Sequence, residues 1–389
     1  MPPLEGRRIW FVGIGGAGLS AYATIAAAWG AEVGGWDRVD TPYLEPLRGR
    51  ELVVAPEPVV PDGWEVVVST AFAPRIAGRS RAEFLAELVS LRRSIVVAGA
   101  HGKTTTSGMI AFVLERLGRD PAFAIGGAVP QLGGNAAAGE GWFVVEGDES
   151  DRTIAALRPE IAVVLNVDLD HHSEFASLDD VQRLFDDWLT HVPHVVRADR
   201  LEPVDFELAL AGEHNRVNAA AALAALELAG VDPREARPHL AEFAGAARRF
   251  ELRGEAGGVL VYDDYAHHPA EIAATLTAAR DLTQGRVLVL FQPHLYSRTL
   301  HLAHEFGRAL GAADAVAVAD VYPAREEPIA DVTGKLVVDA VQGARVAWTP
   351  EPADGARWLA RLARPGDVVL TVGAGDVDAA VPVLLEELA

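Results

Sequence analysis

Short runs of apolar, often β-branched residues alternate with Ala- and Leu-rich stretches of helical period along the whole chain. This is how a parallel sheet with crossover helices reads. The runs Ile9–Val12, Val66–Val68, Ile95–Ala98, Trp142–Val145, Ile161–Leu165, Val259–Tyr262, Val287–Phe291, Ala315–Ala319 and Val368–Val372 predict strands. Leu178–Leu189 predicts a helix; others are expected through Leu117 and after Asn215. The fold class is therefore α/β. Three domains are expected, at residues 1–94, 95–245 and 246–389, since a chain of 389 residues exceeds what one core usually organises. In open α/β sheets ligands gather beyond the C-terminal strand ends, so the polar residues that follow these runs carry the functional weight.

Composition narrows the classes. The formal charge of −21 argues against a general nucleic-acid binder, which needs clustered Lys and Arg to neutralise phosphate. The absence of cysteine excludes disulfides, thiolate metal sites and Cys nucleophiles, and makes a cytoplasmic location the default expectation. Ile9–Ala31 carries no charge and follows Arg7-Arg8, which outlines a signal peptide or membrane span. Five glycines interrupt it, and Gly13, Gly15, Gly16 and Gly18 fall where a strand would turn into a helix. A soluble nucleotide fold without membrane insertion explains them better.

Gly13-Ile14-Gly15-Gly16-Ala17-Gly18 satisfies G-x-G-x-x-G in a strand-to-helix context, with Asp37 after the next expected strand. Its glycines let a diphosphate approach the backbone at a helix N-terminus, and the motif alone favours NAD. Gly99-Ala100-His101-Gly102-Lys103-Thr104-Thr105-Thr106 is a shortened phosphate loop. Backbone N–H groups can cradle phosphate there, Lys103 can neutralise it and the Thr104 hydroxyl can meet Mg²⁺. Lysine occurs only at Lys103 and Lys335, so Lys103 is no generic solubilising residue. Two acidic strand-end segments, Glu146–Asp151 and Asn166–His172, offer the oxygen ligands that Mg²⁺ prefers. The last third offers Tyr262–Pro269 and Gln292–Thr299, whose histidines, acids and arginine suit a carboxylate- or nucleotide-binding cleft.

Across almost its whole length the chain resembles the Mur ligase family. The match rests on Gly13–Ser20, Gly102–Thr106, Asp148–Asp151, Arg248-Arg249-Phe250, Asp263–Pro269 and Gln292–Thr299, in the family's order. The resemblance implies a Rossmann-like N-terminal domain for the UDP-sugar, a P-loop ATPase-like centre and a Rossmann-like C-terminal domain. It implies an ATP- and Mg²⁺-dependent ligase that phosphorylates a carboxylate and lets an amine displace the phosphate. The substrates it implies are UDP-N-acetylmuramate and L-alanine, in peptidoglycan precursor synthesis. Gly13, Gly15, Gly16, Ala17, Gly18, Ser20, Asp37, Ser69 and Thr70 would then serve the UDP-sugar. Gly99, His101, Gly102, Lys103, Thr104, Thr105, Asn215, Asn218, Arg249 and Asp264 would serve ATP, and Thr104, Glu149 and His171 the metal. Lys103, Glu149, His171 and Arg249 would be catalytic, and Tyr265, His267 and Arg298 would hold the amino acid.

Three departures from the family pattern stand out. Ala100 replaces a common threonine, Leu295 stands where Arg is frequent, and only some forty residues separate His171 from Gly212, so the central domain reads as shortened. The lysine that other branches carbamoylate near the metal is missing, in agreement with the alanine-adding branch. Two other activities compete: a recycling ligase that attaches a preformed peptide, and an NAD-dependent oxidoreductase that would leave Lys103, Glu149 and His171 unexplained. Replacement of Lys103, Glu149 or His171 is expected to remove activity and spare the fold.

Overall fold

The apolar runs become the central strands of three sheets in a computed structural model, which describes residues 2–73, 75–168, 175, 177–324 and 326–389. The first sheet holds β1 (Arg8–Val12), β2 (Glu32–Asp37), β3 (Glu51–Val54), β4 (Glu65–Val68) and β5 (Arg79–Ser80), in the order β3-β2-β1-β4-β5 and all parallel. Helix α1 (Ala17–Ala28) follows β1, and α2 (Arg81–Ser90) follows β5. Ser80 caps α2 in a reciprocal box with Glu83, accepting from its N–H and donating its own N–H to the Glu83 carboxylate.

The second sheet holds β6 (Ser94–Ala98), β7 (Ala122–Val129), β8 (Gly134–Ala137), β9 (Phe143–Gly147), β10 (Ile161–Val164) and β11 (His194–Arg197), in the order β11-β10-β6-β9-β7-β8. Only β8 runs antiparallel to its neighbour. Helix α3 (Lys103–Arg116) follows β6 and is buried nearly throughout, which explains its lack of a polar face. Helix α4 (Leu178–Leu189) shows the opposite: Val181, Leu184, Phe185 and Trp188, at helical spacing, form its buried stripe. Helices α5 (Glu213–Leu228) and α6 (Pro233–Glu242) complete this region, and no strand lies between β11 and α5.

The first two sheets belong to one compact unit, residues 1–210 with 215–246. One apolar cluster explains it: Trp29 after α1 meets Phe143 of β9 edge to face, with ring centroids 5.6 Å apart. Each such fully buried large side chain contributes about 1.5–3 kcal/mol. Asn135 of β8 adds a polar tie, donating to the Ala17 carbonyl at 3.0 Å.

The second unit is residues 211–214 with 247–389. Its sheet holds β12 (Glu251–Ala256), β13 (Val259–Asp264), β14 (Val287–Phe291), β15 (Ala315–Val318), β16 (Arg345–Trp348) and β17 (Val368–Val372), ordered β12-β13-β17-β14-β15-β16. All pairs are parallel except β12 with β13. Helices α7 (Pro269–Leu282), α8 (Tyr296–Leu310), α9 (Lys335–Ala340), α10 (Pro352–Ala360) and α11 (Val381–Leu388) connect and cover it. Among the described residues no helix is long and apolar enough to cross a membrane; the uncharged run at Ile9–Ala31 is β1, the glycine turn and α1.

Candidate active site

In the central sheet β10, β6 and β9 are neighbours, so the residues beyond their C-terminal ends meet. The phosphate loop follows β6, the Asp148–Asp151 turn follows β9, and Asn166 follows β10. The loop turns through Gly99 at φ +140° and Gly102 at φ +85°, the left-handed region that favours glycine. A Cβ on Gly102 would lie 2.6 Å from Asn218 Oδ1, so α5 packs directly on the loop. Asn166 locks it from the other side: its Oδ1 accepts the His101 N–H at 2.8 Å, and its Nδ2 donates to the His101 carbonyl at 3.0 Å.

Lys103 opens α3 and turns its ammonium back over the loop, donating to the Gly99 carbonyl at 2.6 Å and to both Glu149 oxygens. Burial alone would lower the ammonium's pKa; the charges of Glu149 and Asp148 outweigh it and raise it. Asp148 is held low despite burial by Lys103, Arg81 and the Ser150 hydrogen bonds. Thr104 is 5% exposed, and its hydroxyl makes no hydrogen bond among the described residues. Asn215 and Asn218, one turn apart on α5, are both buried, with Asn218 Nδ2 donating to Asn215 Oδ1 at 3.3 Å. His171 lies outside the described residues.

At the first sheet the G-x-G-x-x-G turn lies beside the β1–β4 boundary, where the strand order reverses. A Cβ on Gly13 would meet Ser69 Oγ at 2.5 Å, so Ser69 after β4 faces the turn. Asp37 Oδ2 accepts the Gly15 N–H at 2.7 Å, and its other oxygen accepts from Arg38. Gly16 is the N-cap of α1, and the N–H groups of Ala17, Gly18 and Leu19 make no backbone hydrogen bond. Ser20 is turned inward, 2% exposed and donating to the Ala17 carbonyl, and Thr70 Oγ1 reaches Asp151 only at 3.5 Å.

In the second unit two adjacent arginines divide their work. Arg248 is fully engaged, bonding Asp263 at 2.9 Å and the carbonyls of Gly375 and Gly373 at 2.8 and 2.7 Å. Arg249 makes no hydrogen bond or ion pair among the described residues and lies 5.1 Å from the Tyr265 ring centre. Asp264 is buried, accepting from the N–H groups of Phe250 and Ala266 and from Thr275. Burial pushes its carboxyl up to about 6, even though the Arg249 charge pulls it down. Tyr265, His267, His294 and Tyr322 form a chain of ring contacts, and Arg298 Nη1 lies 3.4 Å from His294 Nδ1. Arg298 has no carboxylate partner among the described residues.

Residues 248–375 match the family model described as the glutamate ligase domain of Mur ligases, and residues 97–194 match the Mur ligase middle domain. The UDP-N-acetylmuramate–L-alanine ligase of Streptomyces coelicolor is 40% identical over 455 aligned positions, covering 99% of this chain and 98% of the relative. The chain belongs to the Mur ligase family. Among solved structures, the UDP-N-acetylmuramate–alanine ligase of Thermotoga maritima aligns with a TM-score of 0.79 at 26% identity, over 97% of this chain and 98% of that one. The murein peptide ligase of Psychrobacter arcticus shares the fold, with a TM-score of 0.66 at 24% identity over 98% and 99% of the two chains.

As a Mur ligase the chain is short. The 455 aligned positions exceed its 389 residues by 66, so at least that many face gaps in it. Arg81, Asn135 and Tyr322 lie outside the motifs read from the sequence, and Asn166 and His294 lie inside them without a role of their own. Asn135 follows Gly133-Gly134, a pair that marks a turn, but an asparagine beside glycines is common in any loop. Among the described residues no three His, Asp or Glu side chains gather into a metal cage. Mg²⁺ keeps several waters and takes one or two carboxylates plus phosphate oxygens, so the sparse pair of Thr104 and Glu149 fits it.

Proposed function

We propose that this Mur ligase joins L-alanine to UDP-N-acetylmuramate with ATP and Mg²⁺, making a peptidoglycan precursor in the cytoplasm. The observation that carries the reading is the 40% identity, over 99% of the chain, to a relative bearing that activity in its name. The site chemistry supports it. A free carboxylate resists amine attack, so the γ-phosphoryl of ATP first transfers to a carboxylate oxygen, giving an acyl phosphate and ADP. The alanine amine then attacks the acyl carbon, the C–O bond to phosphate breaks, and amide, inorganic phosphate and a proton result.

Within this reading the Gly99–Thr106 backbone cradles the phosphates, and Lys103 offsets the charge that accumulates during transfer. Thr104 and Glu149 would hold Mg²⁺, which supplies charge neutralisation on the transferring group. Arg249 has no hydrogen bond or ion pair among the described residues and so suits an anionic ligand, and Arg298 presents a guanidinium fork to the amino acid's carboxylate. The boundaries near residues 94 and 245 would divide the chain by sheet, with the UDP-sugar on the first, the ATP phosphates on the second, and the amino acid together with part of the nucleotide on the third.

The test is a product-mass assay with ATP and UDP-N-acetylmuramate, offering alanine, serine, glycine and short peptides separately. Alanine should give the dominant adduct with one phosphate released per bond. A peptide as the preferred amine would assign the recycling reaction instead, and tight NAD binding without ligation would overturn the ligase reading.

A further inference from the structure

Arg81 belongs to none of the motifs, yet it stands between two of them. It is the first residue of α2, held there by the Ser80 cap, and its side chain is 23% exposed. Nη2 donates to Asp148 Oδ2 at 3.0 Å, and Nε lies 3.2 Å from Asp151 Oδ2. These two acids flank Glu149, the carboxylate paired with Lys103. Nη1 has no acceptor among the described residues. It abuts the first turn of α1: a Cβ built on Gly18 would lie 3.4 Å from it. Among the described residues the N–H groups of Ala17, Gly18 and Leu19 in that turn make no backbone hydrogen bond, while the Gly15 N–H is already taken by Asp37.

An anion at this turn therefore meets three backbone donors and one edge of a guanidinium whose other edge is fixed by two carboxylates. We infer that Arg81 is a binding and positioning residue: Nη1 takes a diphosphate oxygen of the UDP-sugar, while Nη2 and Nε hold the turn that carries Glu149. The inference rests on reading the glycine loop as the UDP-sugar site. Arginine suits the post because its rigid fork serves acceptors on two sides at once, which a lysine ammonium on a flexible stem does not. A side chain larger than alanine at Gly18 would extend into the space beside this guanidinium, since its Cβ alone would already lie 3.4 Å from Nη1. A plain strut between the two sheets would use the Asp148 and Asp151 contacts but would have no reason to leave Nη1 facing the helix start.

The discriminating experiment titrates the full chain with UDP, with uridine and with ATP, in the parent, Arg81→Met, Arg81→Lys and Gly18→Val. Arg81→Met should weaken UDP by about tenfold or more, the scale of one charged hydrogen bond, and leave uridine and ATP within about twofold. Arg81→Lys should fall between parent and Arg81→Met for UDP, and should lower kcat for ligation at saturating UDP-sugar through the Glu149 turn. Equal losses for UDP and uridine would make Arg81 a strut, and an unchanged UDP affinity would also overturn the inference. If Arg81→Met loses ATP binding because it does not fold, the UDP-to-uridine ratio in Arg81→Lys decides in the same way. Should Gly18→Val abolish UDP binding while Arg81→Met does not, only the role of Arg81 fails; if the parent itself does not bind UDP, the reading of the glycine loop fails.

Discussion

Lys103 Nζ lies 3.0 and 3.1 Å from the two carboxylate oxygens of Glu149, whose side chain is only 3% exposed. The phosphate-loop cation and the carboxylate assigned to the metal hold each other. Each therefore already has a counter-charge. Removing one partner would strand the other in a low-dielectric site.

Lys103→Ala is thus predicted to damage stability as well as chemistry, against the expectation from sequence that the fold would be spared. The loss should be about 3 kcal/mol, the low end for breaking a buried pair, because Lys103 keeps some solvent contact. Lys103→Met combined with Glu149→Gln should restore most of the stability and none of the ligase activity. Urea unfolding and phosphate release on the three proteins decide the matter. A Lys103→Ala protein with parental stability would show that the pair contributes nothing.

Gly102 is predicted to be intolerant for a reason that can be rescued in part. Gly102→Ala places a Cβ 2.6 Å from Asn218 Oδ1 and holds alanine at φ +85°. The backbone strain costs about 1 kcal/mol and stays, whereas in Gly102→Ala with Asn218→Gly the 2.6 Å contact goes and only the tight contact with Leu165 Cδ1, at 3.1 Å, remains. The melting temperature should drop in the single variant and return partly in the double one, while ATP affinity, for which Asn218 is itself a candidate contact, should stay low in both. Equal melting temperatures in both would place the damage in the loop backbone alone.

Much of this was legible in the chain, and the reasons differ by element. Val287–Phe291 and Val368–Val372 are central strands, buried on both faces, and read as apolar runs, the second broken only by Thr371. Edge strands escaped: Arg79–Ser80 has two residues and Gly134–Ala137 is small and polar, so neither shows a period. The motifs announced which loops matter, because glycine, lysine and acid must recur at fixed spacing to hold phosphate. They could not divide labour within a motif. Arg248 and Arg249 are equivalent in sequence, and only the carbonyls of Gly373 and Gly375 show that the first is a tether. Arg81 was illegible because its role depends on three segments far apart in the chain.

Arg298→Lys is predicted to raise the Michaelis constant for alanine strongly while leaving that for ATP little changed. The guanidinium has no carboxylate partner among the described residues, lies 3.4 Å from His294 Nδ1, and can give two parallel bonds to one carboxylate. Lysine keeps the charge and loses the fork. Leu295, held at φ +71° just before α8, removes the second cation that the family often has here, so Leu295→Arg should partly rescue Arg298→Lys. Initial rates at varied alanine check this, and unchanged alanine saturation would move the carboxylate site elsewhere.

The last prediction concerns pH. Asp264 is buried, and its carboxyl stands at about 6 in the folded chain against an ordinary 3.8. Between those values the native state holds a proton that the unfolded chain has released, so stability falls as pH rises across the window. The stabilising contribution is complete below about 4 and gone above about 6. Its size is at most about 3 kcal/mol for a shift of this order. Asp264→Asn is neutral throughout; it should lose the acceptor for Phe250 N–H or Ala266 N–H and be less stable than the parent at pH 4. As pH rises to 7 the parent should give up stability that the variant keeps, narrowing the gap or reversing it. Melting temperatures of both proteins at pH 4, 5, 6 and 7 provide the comparison, and parallel curves would mean that Asp264 ionises in the folded state as it does in the unfolded one.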